Sequence, residues 1–179
     1  MTNTNTKPMT MTNTKTKSTR ILLTLIAAAT VTLAAHAQTD AQKAFAAIKA
    51  MPGTWQGKTA DGQSVQVNFK ETAGGSAIMS EILGKEDMIS MIHLDGPNRL
   101  LMTHYCGAGN QPRMQASVSP DGKTVTFNFV DATNLATPDD GHMQKMVLTL
   151  LDDNHHTEEW IYVNHGKEMT RVFDLHRKL

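Results

Sequence analysis

From residue 53 onward the sequence is a succession of about ten short segments with the composition of β-strands, and a turn signal separates almost every neighbouring pair. In the clearest segment, 64–71, three apolar residues alternate with polar ones. No long helical pattern interrupts the series. An antiparallel sheet of this length avoids exposed edges by closing on itself. The sequence therefore predicts an all-β fold, a closed antiparallel up-and-down barrel of about ten strands, with a two-sheet sandwich as the alternative.

The predicted strands follow one another through short turns, so sequence neighbours are expected to pair in space. The longest break, 131–141, is expected to contain a helical turn near Ala132–Ala136. The predicted strands are 55–59, 64–71, 77–83, 87–94, 99–106, 113–118, 124–130, 142–151, 156–163 and 167–175.

A short helix is predicted before the first strand. Thr39 and Gln42 have the spacing of a capping box, and an Ala-rich segment continues to residue 51. Ala41, Phe45 and Ile48 share one face of this helix. We interpret it as a lid or plug at one barrel mouth, with a simple N-terminal cap as the alternative.

The first 37 residues have the order of a secretory signal peptide. A basic, acid-free region of 20 residues precedes a 15-residue apolar run, and Ala35-His36-Ala37 provides a small-x-small cleavage pattern. A membrane anchor is the alternative, although the run is shorter than the ~20 residues of a comfortable span. We therefore expect a signal peptide at 1–37, a single barrel domain at 38–179, and a periplasmic or secreted location.

Charge and cysteine content limit the partners. The signal segment contains four of the 17 basic residues and none of the 17 acidic ones, which leaves 13 against 17, a net charge of −4. A mildly acidic domain without a basic stripe argues against nucleic acid and against anionic membranes. We expect no stable membrane insertion after cleavage, and the oligomeric state stays open.

Cys106 is the only cysteine, so no internal disulfide is possible, and we expect it to be buried and inert.

The densest polar cluster lies between His104 and Arg113, around a glycine-rich loop that includes Asn110. If the turn at 95–98 places His93 opposite Leu100, then Met91 and Met102 share a face with His104 and Cys106. This arrangement predicts a soft, Met-lined pocket for an apolar molecule, haem or copper. A core hairpin with one buried histidine is the alternative. Arg113 is expected near a rim, where it would orient a polar ligand end.

The last two strands supply two further candidates. The turn at 164–167 sets Trp160 opposite Arg171, which predicts either a cation–π pair or an inward guanidinium that holds a ligand carboxylate. His155 and His156 are expected in a solvated turn with their rings pointing apart. The predicted ligand-binding residues are Met91, Met102, His104, Asn110, Arg113, Trp160 and Arg171.

Gly53-Thr54-Trp55, at the start of the first strand, resembles the Gly-x-Trp signature of lipocalins. In that family the Trp closes the barrel base against a basic residue of the last strand, and Arg171 and Arg177 are the candidates here. The chain thus resembles the wider calycin group of lipocalins, fatty-acid-binding proteins and nitrobindin-like haem barrels. Segments 101–106 and 109–114 also resemble uncharacterised exported bacterial proteins of this shape.

These observations favour an exported barrel that binds a small, mostly apolar molecule in its interior. One alternative is an enzyme that acts on such a molecule through His104 with Tyr105 or Arg113. Another is a barrel that binds haem or a metal. No nucleophile elbow, phosphate-binding loop or paired-carboxylate motif occurs in the sequence.

Overall fold

The computed structural model describes residues 1–2, 37–84 and 87–179, so almost all of the predicted signal peptide lies outside the described residues. In the described part of the chain, one helix precedes ten strands, and a 3₁₀ turn (Ala73–Gly75) follows the second strand. Within the described residues, no helix has the length and apolarity needed to cross a membrane. The elements are α1 (Asp40–Lys49), β1 (Gly53–Thr59), β2 (Ser64–Thr72), β3 (Ala77–Leu83), β4 (Met88–Asp95), β5 (Arg99–Tyr105), β6 (Gln111–Val118), β7 (Thr124–Thr133), β8 (His142–Asp152), β9 (His155–Asn164) and β10 (Lys167–Arg177).

The ten strands form a closed antiparallel barrel in which each strand pairs with its sequence neighbours. Pairing of β1 with β10 closes the ring, in a register that sets Trp55 opposite Arg177 and Thr59 opposite Phe173. Gly57 lies in this closing seam, where an added Cβ would lie 1.7 Å from the backbone oxygen of Asp174. The prediction of an all-β up-and-down barrel with a short N-terminal helix is confirmed.

Strand alternation produces the core. On β2, the residues Val65, Val67 and Phe69 are buried inside the barrel, while the residues between them are more exposed. The same period-2 pattern fills the interior from every strand. Inward polar residues interrupt it at a few positions, which are Ser80, Ser90, His104, His156 and Glu158.

The two barrel ends differ. At the helix end, where β1 begins and β10 finishes, α1 packs against β4, β5 and β6. Both capping-box hydrogen bonds between Thr39 and Gln42 are present, and the predicted face of Ala41, Phe45 and Ile48 is buried. At the opposite end, here called the cavity end, lie the connections that follow β1, β3, β5, β7 and β9.

Trp55 closes the helix end. Its side chain is 2% exposed, and its Nε1 donates to the backbone oxygen of Met51 at 2.9 Å. The guanidinium of Arg177 lies 4.3 Å from the indole centroid and donates to the carbonyl of Pro52 at 2.8 Å. Arg177, rather than Arg171, is therefore the basic residue that packs on this tryptophan.

Three local predictions are wrong. The β4–β5 hairpin pairs Leu94, not His93, with Leu100, so its register differs by one residue. No helical turn forms around Ala132–Ala136, because β7 continues to Thr133, and the hydrogen-bonded turn of this connection lies at Thr137–Asp140. His156 is not in a solvated turn, because β9 already begins at His155.

Candidate functional site

Two adjoining cavities, of about 320 and 410 Å³, occupy the cavity end of the barrel. The smaller one is the more enclosed, and its wall includes Val65, Ile82, His104 and Phe173. The larger one extends past Cys106 and Tyr162 to Met169. Four residues line both cavities, which makes them one continuous candidate site, and these are Met88, Met143, Trp160 and Arg171.

His104 is the buried polar group in the wall of the enclosed cavity. It lies opposite Ser90 across the β4–β5 ladder, and its Nδ1 is 2.9 Å from the Ser90 hydroxyl. Its Nε2 is buried without a hydrogen-bond partner. Burial lowers the pKa of His104 to about 4, so the imidazole is neutral at neutral pH. A neutral ring has one donor and one acceptor nitrogen, and in either tautomer one of them stays unsatisfied.

A chain of polar groups runs through the barrel beside the cavity. Glu158 is fully buried, accepts a hydrogen bond from Trp160 Nε1 at 2.8 Å, and lies 3.3 Å from His156 Nε2. The ring of His156 contacts Trp55 edge-on at 4.3 Å, while the ring of His104 lies 4.8 Å from Trp160. The buried carboxylate thus holds the Trp160 indole in place as a wall of the cavity.

Arg171 stands opposite Trp160, in the register that the sequence predicts. It lines both cavities, and within the described residues its guanidinium forms no hydrogen bond or ion pair. Its charge acts on Asp61, whose pKa is lowered chiefly by a hydrogen bond from Thr59 and further by Arg171. Arg171 is exposed to solvent at the cavity wall, and its guanidinium is available to an anionic or carbonyl group of a ligand.

Cys106 and Tyr162 form part of the wall of the larger cavity. Cys106 is half-buried rather than fully buried as expected. Burial, and to a smaller extent the nearby Cys106, raise the pKa of Tyr162. The phenol is therefore protonated at neutral pH and can donate a hydrogen bond.

The other predicted site residues lie away from the cavity. Met91 is on the outer face of the sheet, opposite Met79 and Thr103, because the one-residue difference in register reverses the two faces of β4. Met102 is inside but is fully packed in the core.

Asn110 and Arg113 contact neighbouring loop and strand residues rather than the cavity. Asn110 is 4% exposed, and its Nδ2 donates to the carbonyl of Gly141 at 2.8 Å, so it ties two loops together. Arg113 is on the outer face of β6 and forms a two-pronged ion pair with Asp131. Of the seven predicted residues, the structure brings together His104, Trp160 and Arg171.

Several wall residues were not predicted as site residues. Met88, Met143 and Phe173 all line the enclosed cavity. For Phe173 the signal was present, because it is two residues from Arg171 on one strand and shares its face. Met88 and Met143 lie near strand starts, where alternation alone does not distinguish a cavity wall from packed core.

No protein-family model matches the sequence, and no curated protein matches it. Among solved structures, the crystal structure of Rv2717c from M. tuberculosis is similar, with a TM-score of 0.55 and 12% identity over 76% of this chain and 98% of that chain. A protein of unknown function of the DUF3598 family from Nostoc punctiforme PCC 73102 has a TM-score of 0.48 and 10% identity over 74% of this chain and 49% of that one. The likeness to Rv2717c shows a shared fold.

Proposed function

We propose that this protein is a calycin-like barrel that binds a small, mostly apolar molecule at its cavity end. The observation that carries the proposal is an enclosed, largely apolar cavity whose wall contains a buried polar atom without a hydrogen-bond partner, His104 Nε2, and which the exposed Arg171 guanidinium also lines. Unpaired buried polar groups are rare in folded proteins and are often satisfied by a bound molecule or water.

The wall indicates the kind of ligand. Val65, Ile82, Met88 and Phe173 offer an apolar surface, and methionine adapts to irregular ligand shapes. The enclosed volume of about 320 Å³ lies at the lower end of the ~300–1,000 Å³ typical of small-molecule sites. The ligand we expect has a compact apolar body and a polar end that meets Arg171.

The assignment to calycins and to an exported location belongs to the same proposal. Packing of Arg177 on Trp55 at the base supports the lipocalin-like reading of Gly53-Thr54-Trp55. Export rests on residues 1–37 of the sequence, which imply a mature protein in the periplasm or outside the cell. A small apolar molecule, and not nucleic acid, is then the partner.

The two tryptophans allow a direct test, because one lies at each end of the barrel. The variant Trp55→Phe leaves Trp160 as the sole tryptophan, and Trp160→Phe leaves Trp55. We expect an apolar fluorescent probe to quench or shift the emission of the first variant and to leave that of the second unchanged. Arg171→Met should weaken binding of probes that carry a carboxylate. Native mass spectrometry of protein purified from its own host should show a co-purifying molecule.

The opposite results would overturn the proposal. If no molecule co-purifies and neither tryptophan responds to apolar probes, the cavity is not a ligand site. An equal response of both variants would mean that the probe binds elsewhere.

A second candidate function is haem or metal binding, favoured by the unpartnered Nε2 of neutral His104. His104 would be the protein ligand, and the Ser90 hydroxyl at Nδ1 would fix its orientation, as groups around metal-bound histidines do. Bound haem would supply redox or gas-binding chemistry. A Soret band that forms with added haem and disappears in His104→Ala would support this candidate.

The enzymatic alternative through His104 and Arg113 loses its geometric basis. His104 faces the interior and Arg113 faces outward, so the two side chains cannot contact one ligand. Tyr105 also points outward and is 50% exposed.

A further inference from the structure

We propose that His155, Asp174 and His176, on the outer face of the β9–β10 hairpin near the helix end, form a binding site for a divalent transition-metal ion such as Zn²⁺. The site is separate from the interior cavity and does not depend on the function proposed above. Among the described residues, these three form the cluster of histidine and acidic side chains whose ligand atoms all lie within 4.8 Å of one another.

The strand register brings the three side chains together. His155 and His176 are directly opposite each other on β9 and β10, and Asp174 is two residues from His176 on the same face. The two imidazoles stack with centroids 4.1 Å apart. Both Nε2 atoms approach one oxygen, Asp174 Oδ1, at 2.7 Å from His155 and 3.6 Å from His176.

These distances are close to those of a metal centre. Zn²⁺ bonds to imidazole nitrogen and carboxylate oxygen at roughly 2.0–2.2 Å, and in a tetrahedral site this separates neighbouring ligand atoms by about 3.3 Å. Because the two rings are stacked at an interplanar angle of 18°, they would have to tilt apart for both Nε2 lone pairs to point at one ion.

The ligand types select the ion. Two imidazoles and one carboxylate suit Zn²⁺, Cu²⁺ or Ni²⁺, whereas Mg²⁺ and Ca²⁺ prefer oxygen ligands alone. The side chains of Asp174 and His176 are 62% and 63% exposed, so water can occupy the remaining coordination positions. Catalytic zinc sites have three protein ligands and an open coordination position, whereas structural sites have four protein ligands. The number of protein ligands here is that of a catalytic site.

Neighbouring charges leave the cluster accessible. Lys58 lies opposite Asp174 on β1, yet within the described residues it forms no ion pair with that carboxylate. Asp174 contacts both histidines through Oδ1, which leaves Oδ2 for the ion. Because metal ions bind deprotonated imidazole and carboxylate ligands, we expect affinity to fall as the pH is lowered.

Calorimetric titration of the untagged protein with Zn²⁺ tests the site. We expect one saturable site per chain, with affinity at least tenfold weaker in Asp174→Asn and in His176→Ala, and no comparable binding of Mg²⁺. The matched control is His165→Asn, which removes an exposed imidazole at the far end of the same hairpin. Asparagine tolerates the positive φ of 47° at this position.

NMR of the imidazole resonances provides a second readout that does not depend on variants. We expect Zn²⁺ to shift the Nε2 signals of His155 and His176 and to leave those of His104 unchanged. Absence of saturable binding, equal affinity in the His176→Ala variant, or loss of binding in His165→Asn would overturn the proposal.

Discussion

The two ends of the barrel are built from the same strands but end differently. At the helix end, the Trp55 indole is enclosed by α1, Arg177 and His156, and its polar atom is satisfied. At the cavity end, the His104 imidazole is equally buried, yet its Nε2 has no partner and a cavity lies beside it. One end is therefore built to hold the barrel closed, and the other has space for a ligand.

The difference comes from what covers each mouth rather than from the strands. Alternation sends side chains inward at both ends. Among the residues that the structure describes, only the helix end has an additional amphipathic element, α1, whose Phe45 and Ile48 fill the remaining space. A well-packed base thus allows the other end of this small barrel to remain incompletely packed.

The largest effect is expected at the base. Trp55→Ala should lower the free energy of unfolding by about 3–5 kcal/mol, because it removes a buried indole and leaves a cavity under α1. Met88→Ala, at the cavity end, should have a clearly smaller effect because Met88 borders existing space. Chemical denaturation measures both. Equal losses would contradict the difference between the ends.

The second prediction concerns pH. The pKa of His104 is lowered from 6.5 to about 4 by burial, so between these values the unfolded chain binds more protons than the folded one. Protonation of the unfolded chain therefore causes a loss in the free energy of unfolding that is absent above pH 6.5 and grows as the pH falls toward 4. Its size is about 3 kcal/mol, at 1.36 kcal/mol per pKa unit.

Denaturation of the wild type and of His104→Gln from pH 7 to pH 4 isolates this contribution. The variant should lose less stability than the wild type over this interval. His93→Gln, which changes a histidine on the outer face, should follow the wild type. Parallel curves for wild type and His104→Gln would show that His104 is not desolvated.

A third, intermediate effect is expected where the polar chain connects the two ends. Glu158→Gln should cost about 1–3 kcal/mol, because it replaces one accepting oxygen with an NH2 donor, so the contacts with Trp160 Nε1 and His156 Nε2 can both be kept only if the imidazole accepts. Glu159→Gln, on the neighbouring outward position, is the control. Equal melting temperatures for the two variants would remove Glu158 from this role.

The smallest effect on stability is expected for the two arginines, which differ in their effect on binding. Arg171→Met should leave the melting temperature nearly unchanged and weaken binding of anionic apolar probes at the cavity end. Arg113→Met should change neither property much, because its ion pair with Asp131 is exposed. Binding that depends on Arg113 would move the ligand to the outside of the barrel.

Most of the fold could be predicted from the sequence, because each strand has alternating apolar and polar residues and each connection contains residues that favour turns. The register of the strand pairs was predicted less well than the strands themselves. The loop of the β9–β10 hairpin, His165-Gly166, has positive φ at both residues, and the register was correctly predicted. The β4–β5 loop has three residues instead of two, and this single extra residue placed Met91 outside.

The candidate site could be predicted only in part. The pairing of Trp160 with Arg171 was predicted correctly because the register of the β9–β10 hairpin was predicted correctly. The contact of His104 with Ser90 was not predicted, because the predicted register of the β4–β5 hairpin was wrong by one residue. The role of Glu158 depends on contacts that no sequence pattern contains. The sequence places Arg113 at the start of its predicted strand, near the barrel rim. Whether its side chain points inward or outward depends on the pairing of β6 with β7.

The β1–β10 seam gives this barrel a single non-local joint. Nine of the ten strand pairs join neighbours in the sequence, whereas the pair of Trp55 with Arg177 encloses the whole ring. The loop-closure entropy is largest for this pairing, so we expect the hairpins to form quickly and ring closure to limit the folding rate. Gly57 then has a kinetic meaning, because a side chain there would obstruct the last contact to form.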